Sequence, residues 1–196
     1  MAENTAGRAA GIAAYLTLSG MALQEAARAF DDGRVDKAIN LISEELLHGR
    51  PLLVCGNGGS AADAQHITGE LVGRFLKERR ALNAVCLSTN VAVLTAWAND
   101  YDYNEVFARQ VEAHGRNGGV LLAISTSGNS PNVVRAAETA QGLQMPVVSL
   151  TGRGGGNLAE YSDILLDVPS EETPFIQQAH ICLYHFMCER IEAALA

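Results

Sequence analysis

Basic residues are scarce: 14 Lys and Arg stand against 22 Asp and Glu in 196 residues, for a net charge of −8. A groove that neutralises nucleic-acid phosphates needs clustered basic side chains. Here only 77–80 is dense in them, so nucleic acid is excluded as a partner. Cysteines are few as well. Cys55, Cys86, Cys182 and Cys188 form no C-x-x-C pair, and the expectation is small buried hydrophobes in a reducing compartment. No uncharged apolar stretch reaches the ~20 residues of a membrane span. Residues 9–23 are apolar, but Thr17, Ser19 and Gly20 interrupt them and residues 1–8 carry one Glu and one Arg. That is not the positive start of a leader, so a cytoplasmic protein with no membrane partner is expected. Neither G-x-x-x-x-G-K-[ST] nor G-x-G-x-x-G occurs, which leaves nucleotide binding without a motif. Internal repeats, low-complexity segments and linkers are also missing.

What is present is apolar material, 48% of the chain, enough for one domain with a sizeable core. Short apolar runs at 52–55, 83–87, 119–124, 146–150 and 164–168 read as strands. Between them lie segments of helical period, at about 61–75, 91–98, 104–113, 131–141 and 173–195. Strands that are apolar throughout and alternate with helices make a parallel sheet covered on both faces. The expected fold is α/β, a three-layer αβα sandwich on a five-stranded parallel sheet. Two helices, at about 5–30 and 35–47, precede the first strand. They exceed what one sheet face needs, so the first is expected to pack on another subunit.

Two hydroxyl- and glycine-rich turns stand out. Ser125-Thr126-Ser127-Gly128-Asn129-Ser130 leaves the third strand and precedes Pro131 and a helix. A helix start carries unpaired N–H groups and the positive end of the dipole, so such a turn suits a phosphate. Ser130 as a plain N-cap accounts for one hydroxyl and not for the other three. Gly56-Asn57-Gly58-Gly59-Ser60 leaves the first strand the same way, and its glycines let backbone approach a ligand. His66 and Glu70 follow at i,i+4, on one helix face. They suit a metal or an acid–base pair, or a surface contact between themselves. On the last helix, Gln177, His180 and His185 lie among apolar residues, and spacing alone leaves open which His belongs to a site. His48 and His114 read as surface residues, and Gly152–Gly156 as a flexible turn.

These segments, with Gly69-Glu70-Leu71-Val72-Gly73-Arg74-Phe75, Ala98-Asn99-Asp100-Tyr101 and Ile176-Gln177 before His185, resemble the sugar isomerase (SIS) domain family in its phosphoheptose isomerase branch. The likeness runs over nearly the whole chain and implies one SIS domain over 1–196, of flavodoxin-like αβα fold. It also implies an aldose-ketose isomerase that converts sedoheptulose 7-phosphate to D-glycero-D-manno-heptose 7-phosphate, toward the heptose of lipopolysaccharide. By the resemblance, Ser125, Thr126, Ser127 and Ser130 hold the phosphate, and Asn57, Gly58, Gly59, Asn99 and Asp100 contact the sugar. His66, Glu70, Gln177 and His185 hold one zinc ion per subunit. Glu70 and His185 are the catalytic pair, with Glu70 and Gln177 also touching substrate. A homotetramer is implied, with the helices at about 5–48 in its contacts and active sites shared between subunits. Gly69 departs from the pattern, since some members carry a second Glu there. The alternative is a non-catalytic SIS protein that binds the replication initiator. That relative lacks the equivalents of Glu70 and His185.

Overall fold

The computed structural model describes residues 11–30 and 32–196. The element order is α1 (Ile12–Ala29), α2 (Asp32–Leu47), β1 (Leu52–Gly56), α3 (Gly59–Val72), β2 (Ala84–Cys86), α4 (Val91–Asp100), α5 (Val106–His114), β3 (Val120–Ser125), α6 (Pro131–Gly142), β4 (Val147–Thr151), β5 (Ile164–Asp167) and α7 (Thr173–Leu195). Short 3-10 turns cover Tyr103–Glu105 and Gly156–Tyr161. The expected start of the first helix, near residue 5, lies outside the described residues.

All strand pairs are parallel, in the order β2-β1-β3-β4-β5. Strand residues alternate between two cores, as the period-2 pleat requires. Leu52, Val54, Leu122 and Ile124 face α2, α3 and α7, while Leu53, Cys55, Leu121 and Ala123 face α4, α5 and α6. β1 and β3 are buried along their whole length, which is why neither shows an alternating sequence. α1 lies outside this sandwich. Leu23, Ala26 and Phe30 pack on Ile176 and Ala179 of α7, and Ile12, Leu16 and Met21 stay exposed.

The order reverses between β1 and β3, and crevices beyond strand ends at such a switch point are where ligands bind in open α/β sheets. Register aligns Gly56 with Ile124 and Ser125 with Thr151, so the turns after β1, β3 and β4 stand side by side. Cysteines follow expectation with one correction. Cys55, Cys86 and Cys188 are buried, and burial pushes the Cys55 and Cys188 thiols up to about 12. Cys182 is exposed, because it falls on the outer face of α7 beside exposed Ile181.

Candidate active site

The turn after β3 is built as a cup. Its backbone closes through Gly128 N–H to Ser125 O at 3.0 Å. Gly128 has φ 66, and a Cβ there would strike the Gly155 carbonyl, so the position needs glycine. Ser130 starts α6 but makes no side-chain cap. Its Oγ instead lies 3.1 Å from Ser125 Oγ, which is 3.5 Å from Ser127 Oγ. These three seryl hydroxyls cluster within the turn rather than serving the helix, against the plain capping reading. Gly152–Gly156, read from sequence as a loose turn, is the back wall of this cup. Gly152 N–H donates to Thr126 O at 2.9 Å, and Asn157 N–H to Asn129 Oδ1 at 2.9 Å. A run of glycines after the strand next to β3 was the signal for that role.

Across the switch point, β1 passes into α3 through Asn57 and Gly58 alone. Asn57 Nδ2 donates to Asn132 Oδ1 at 2.7 Å, and Asn132 Nδ2 donates back at 2.9 Å. The Tyr103 hydroxyl adds a bond to Asn57 Oδ1 at 3.2 Å. Asn132 and Tyr103, which sequence reasoning missed, thus fix the amide at the mouth of the crevice. Gln177 lies against Gly59 so closely that a Cβ would collide with its amide nitrogen. Asn99 and Asp100 end α4 and are exposed, with Asn99 Nδ2 donating to Asp100 Oδ1 at 2.8 Å. Among the described residues, no hydrogen bond ties that pair to either turn.

Two turns along α3, His66, Glu70 and His185 come together. His66 Nε2 is 3.1 Å from Glu70 Oε1 and 3.5 Å from His185 Nε2. Phe75 lies beside the His185 ring, with centroids 5.6 Å apart. Behind His66, Tyr184 and Asp63 are buried. Burial raises the Asp63 carboxyl, opposed by the bond from Tyr184 and by His66. Burial, with Asp63 beside it, likewise raises the Tyr184 phenol. His180 is not part of this group. It is fully buried, and its Nε2 donates to Thr151 O at 3.1 Å. Spacing alone had left the two histidines undecided, and the resemblance had chosen His185.

The donor chemistry of His66, Glu70 and His185 suits zinc, and the 3.1 and 3.5 Å separations sit near the ~3.3 Å edge of a tetrahedron with bonds of ~2.0 Å. Among the described residues, however, no three His, Cys, Asp or Glu already form a metal centre, since both approaches are made through His66. Gln177 stands eight residues from His185, or ~12 Å along one helix, so within one chain it does not join the cluster. Gly69 faces open space beside it.

A family model described as the SIS domain matches residues 14–152. The chain is 50% identical over 161 residues to a phosphoheptose isomerase of Rhodospirillum rubrum, covering 82% of this chain and 86% of that one. It is similar to the structure of a phosphoheptose isomerase from Neisseria gonorrhoeae, with 44% identity, a TM-score of 0.86, and coverage of 92% and 96%. The corresponding structure from Francisella tularensis has 38% identity, a TM-score of 0.88 and the same coverage.

Proposed function

We propose, for a chain that belongs to the SIS domain family in its phosphoheptose isomerase branch, that the reaction is divided between an anchor at 125–130 and a reacting end at Glu70 and His185. The enzyme is an aldose-ketose isomerase that takes sedoheptulose 7-phosphate to D-glycero-D-manno-heptose 7-phosphate. A hydrogen leaves C1 as a proton and one returns at C2, while the O1 proton is lost and O2 gains one, through an enediol. Such a step needs a base above the carbons and a proton donor near the oxygens. Glu70 takes the C1 proton and delivers it at C2, and His185 serves the oxygens. The observation that carries this reading is that Glu70 Oε1 and His185 Nε2 both lie within 3.5 Å of one atom, His66 Nε2. Both groups therefore reach the same small fragment of a sugar.

Zinc, one ion per subunit, would be held by His66, Glu70, Gln177 and His185 and would polarise the C1 and C2 oxygens. The seryl and threonyl hydroxyls of Ser125, Thr126, Ser127 and Ser130 hold the phosphate. Asn57, Gly58, Gly59, Asn99, Asp100 and Gln177 hold the polyol between the two ends. From Gly59 to His66 the helix advances ~10 Å, which suits an extended sugar phosphate positioned by its far end. A homotetramer with shared sites would let Gln177 meet the His66 cluster of another subunit. The exposed Ile12, Leu16 and Met21 of α1 support helices at about 5–48 as part of that contact, with 1–196 one SIS domain. Among the described residues no helix is long and apolar enough to cross a membrane, which accords with a cytoplasmic enzyme that feeds lipopolysaccharide heptose synthesis. Non-catalytic binding of the replication initiator is not favoured, since Glu70 and His185 are both present and adjacent to His66.

Incubation with sedoheptulose 7-phosphate, with and without chelator, tests the reading. Aldose product is expected, lost with chelator and restored by Zn2+. No conversion with zinc present would contradict it, and binding of purified initiator alongside that failure would favour the alternative.

A further inference from the structure

Two side chains behind His66 have no part in the reaction above. Asp63 lies one turn back along α3 and Tyr184 lies on α7, at 7% and 1% exposure. The Tyr184 hydroxyl is 3.4 Å from Asp63 Oδ1 and 3.0 Å from His66 Nδ1. Among the described residues, Asp63 Oδ2 is buried without a partner.

Counting protons sets the direction of the chain of bonds. A phenol carries one proton and a carboxylate carries none. Were the Tyr184 proton turned to His66, both oxygens of a buried carboxylate would lack a donor, which is more costly than leaving Nε2 of a half-exposed imidazole without a proton toward Glu70, where solvent reaches the pair. Tyr184 therefore donates to Asp63 Oδ1, and the phenol oxygen accepts from His66 Nδ1–H. The proton of neutral His66 is then on Nδ1, and Nε2 is a bare lone pair. That lone pair is the atom that faces Glu70 Oε1 and His185 Nε2. His66 Nε2 and Glu70 Oε1, two electron-rich atoms 3.1 Å apart on a partly exposed surface, with His185 Nε2 3.5 Å from the first, make a place for an electrophile.

We propose that Asp63 and Tyr184 are positioning residues that hold His66 as its Nδ1–H tautomer and present Nε2 to a divalent cation. The inference rests on the reading of His66 as a zinc ligand. An outer bond of this kind fixes both the ring orientation and the basicity of a ligating imidazole, and its loss weakens metal binding.

Two measurements test it. The first is the nitrogen-15 spectrum of zinc-free wild-type protein at about pH 8.5, above the ordinary imidazole range, with His66 assigned from His66→Gln. A protonated Nδ1 and a pyridine-like Nε2 are expected, with that preference lost in Tyr184→Phe. A proton on Nε2, or a mixture of the two forms, in the wild type would overturn the inference. The second is Zn2+ affinity by competition with a chromophoric chelator. His66→Gln should abolish the site, and Tyr184→Phe should weaken it by about 10- to 100-fold. Loss in His66→Gln with wild-type affinity in Tyr184→Phe overturns the positioning role alone. Unchanged affinity in His66→Gln overturns the ligand reading, and the wild-type nitrogen spectrum then decides the tautomer by itself. The same spectrum decides if Tyr184→Phe does not fold.

Discussion

His180 and His185 sit five residues apart on α7 and live in opposite surroundings. His185 is partly exposed beside His66, whereas His180 is fully buried under the end of β4 and its Nδ1 has no partner among the described residues. Burial pulls the His180 imidazole down to about 4, with the bond to the Thr151 carbonyl opposing. The sign follows from linkage. An unfolded His takes up its proton near the ordinary value of ~6.5, and the folded one does so only near 4, so the unfolded state binds more protons between these values and stability falls as pH drops through that window. By pH ~5 the loss reaches about 2 kcal/mol, and it levels off below 4. Urea unfolding should show this loss in the wild type and a smaller one in His180→Gln. Equal pH dependence in the two would remove His180 as its source. The residue scale is also where sequence was least sufficient. Gln177, His180 and His185 were legible as unusual in an apolar helix, but the choice between core and site depends on Thr151 and His66, 29 and 119 positions away.

At the scale of elements, the strands and the two polar turns were readable because each is local. A short apolar run next to a glycine or hydroxyl cluster has few other structures open to it. The end of α3 was not. Its apolar stripe continues to Phe75, and a helix to that point is the natural expectation, yet the helix stops at Val72. The cause lies on α7. The Glu192 carboxylate, 1% exposed, accepts backbone N–H bonds from Phe75, Leu76 and Lys77 at 2.7–2.9 Å and lies 3.4 Å from Arg79 Nε. Arg79 in turn donates to the Glu70 carbonyl at 2.8 Å. Burial opposes ionisation of Glu192, but the three N–H groups and Arg79 outweigh it and hold the carboxyl below its usual range. A buried charge that loses its partner is costly, so Glu192→Ala should destabilise by about 3–5 kcal/mol, measured by urea unfolding. Amide exchange at 75–77 should accelerate with it. A loss confined to a few tenths of a kcal/mol, the scale of an ordinary surface change, would show that this strap, residues 75–79, does not depend on the Glu192 anchor. Because the strap carries Phe75 against His185 and grips Glu70, the variant should also lose activity.

Over the whole molecule, strand order brings the turns after β1, β3 and β4 to one edge, and α3 and α7 run from that edge to the His66 cluster. Sequence could state the layers, the likeness of the two turns and the two-turn spacing of Gln177 and His185 on one helix, but not that Gln177 would lie against Gly59 while His185 meets His66. That separation is the physical reason to look beyond one chain. If sites are shared, Glu70→Gln and Gln177→Ala proteins, each inactive, should regain partial activity when mixed and allowed to exchange subunits. No recovery in mixtures shown to exchange would place every site group within one chain. The division into an anchor and a reacting end has a more direct test in Glu70→Gln alone. With sedoheptulose 7-phosphate in D2O, both turnover and exchange of the C1 hydrogen should fall at least ~100-fold, the scale of a lost general base, while substrate still binds through the intact hydroxyl turn. Near-normal turnover and exchange in that variant would contradict the assignment of the chemistry to Glu70.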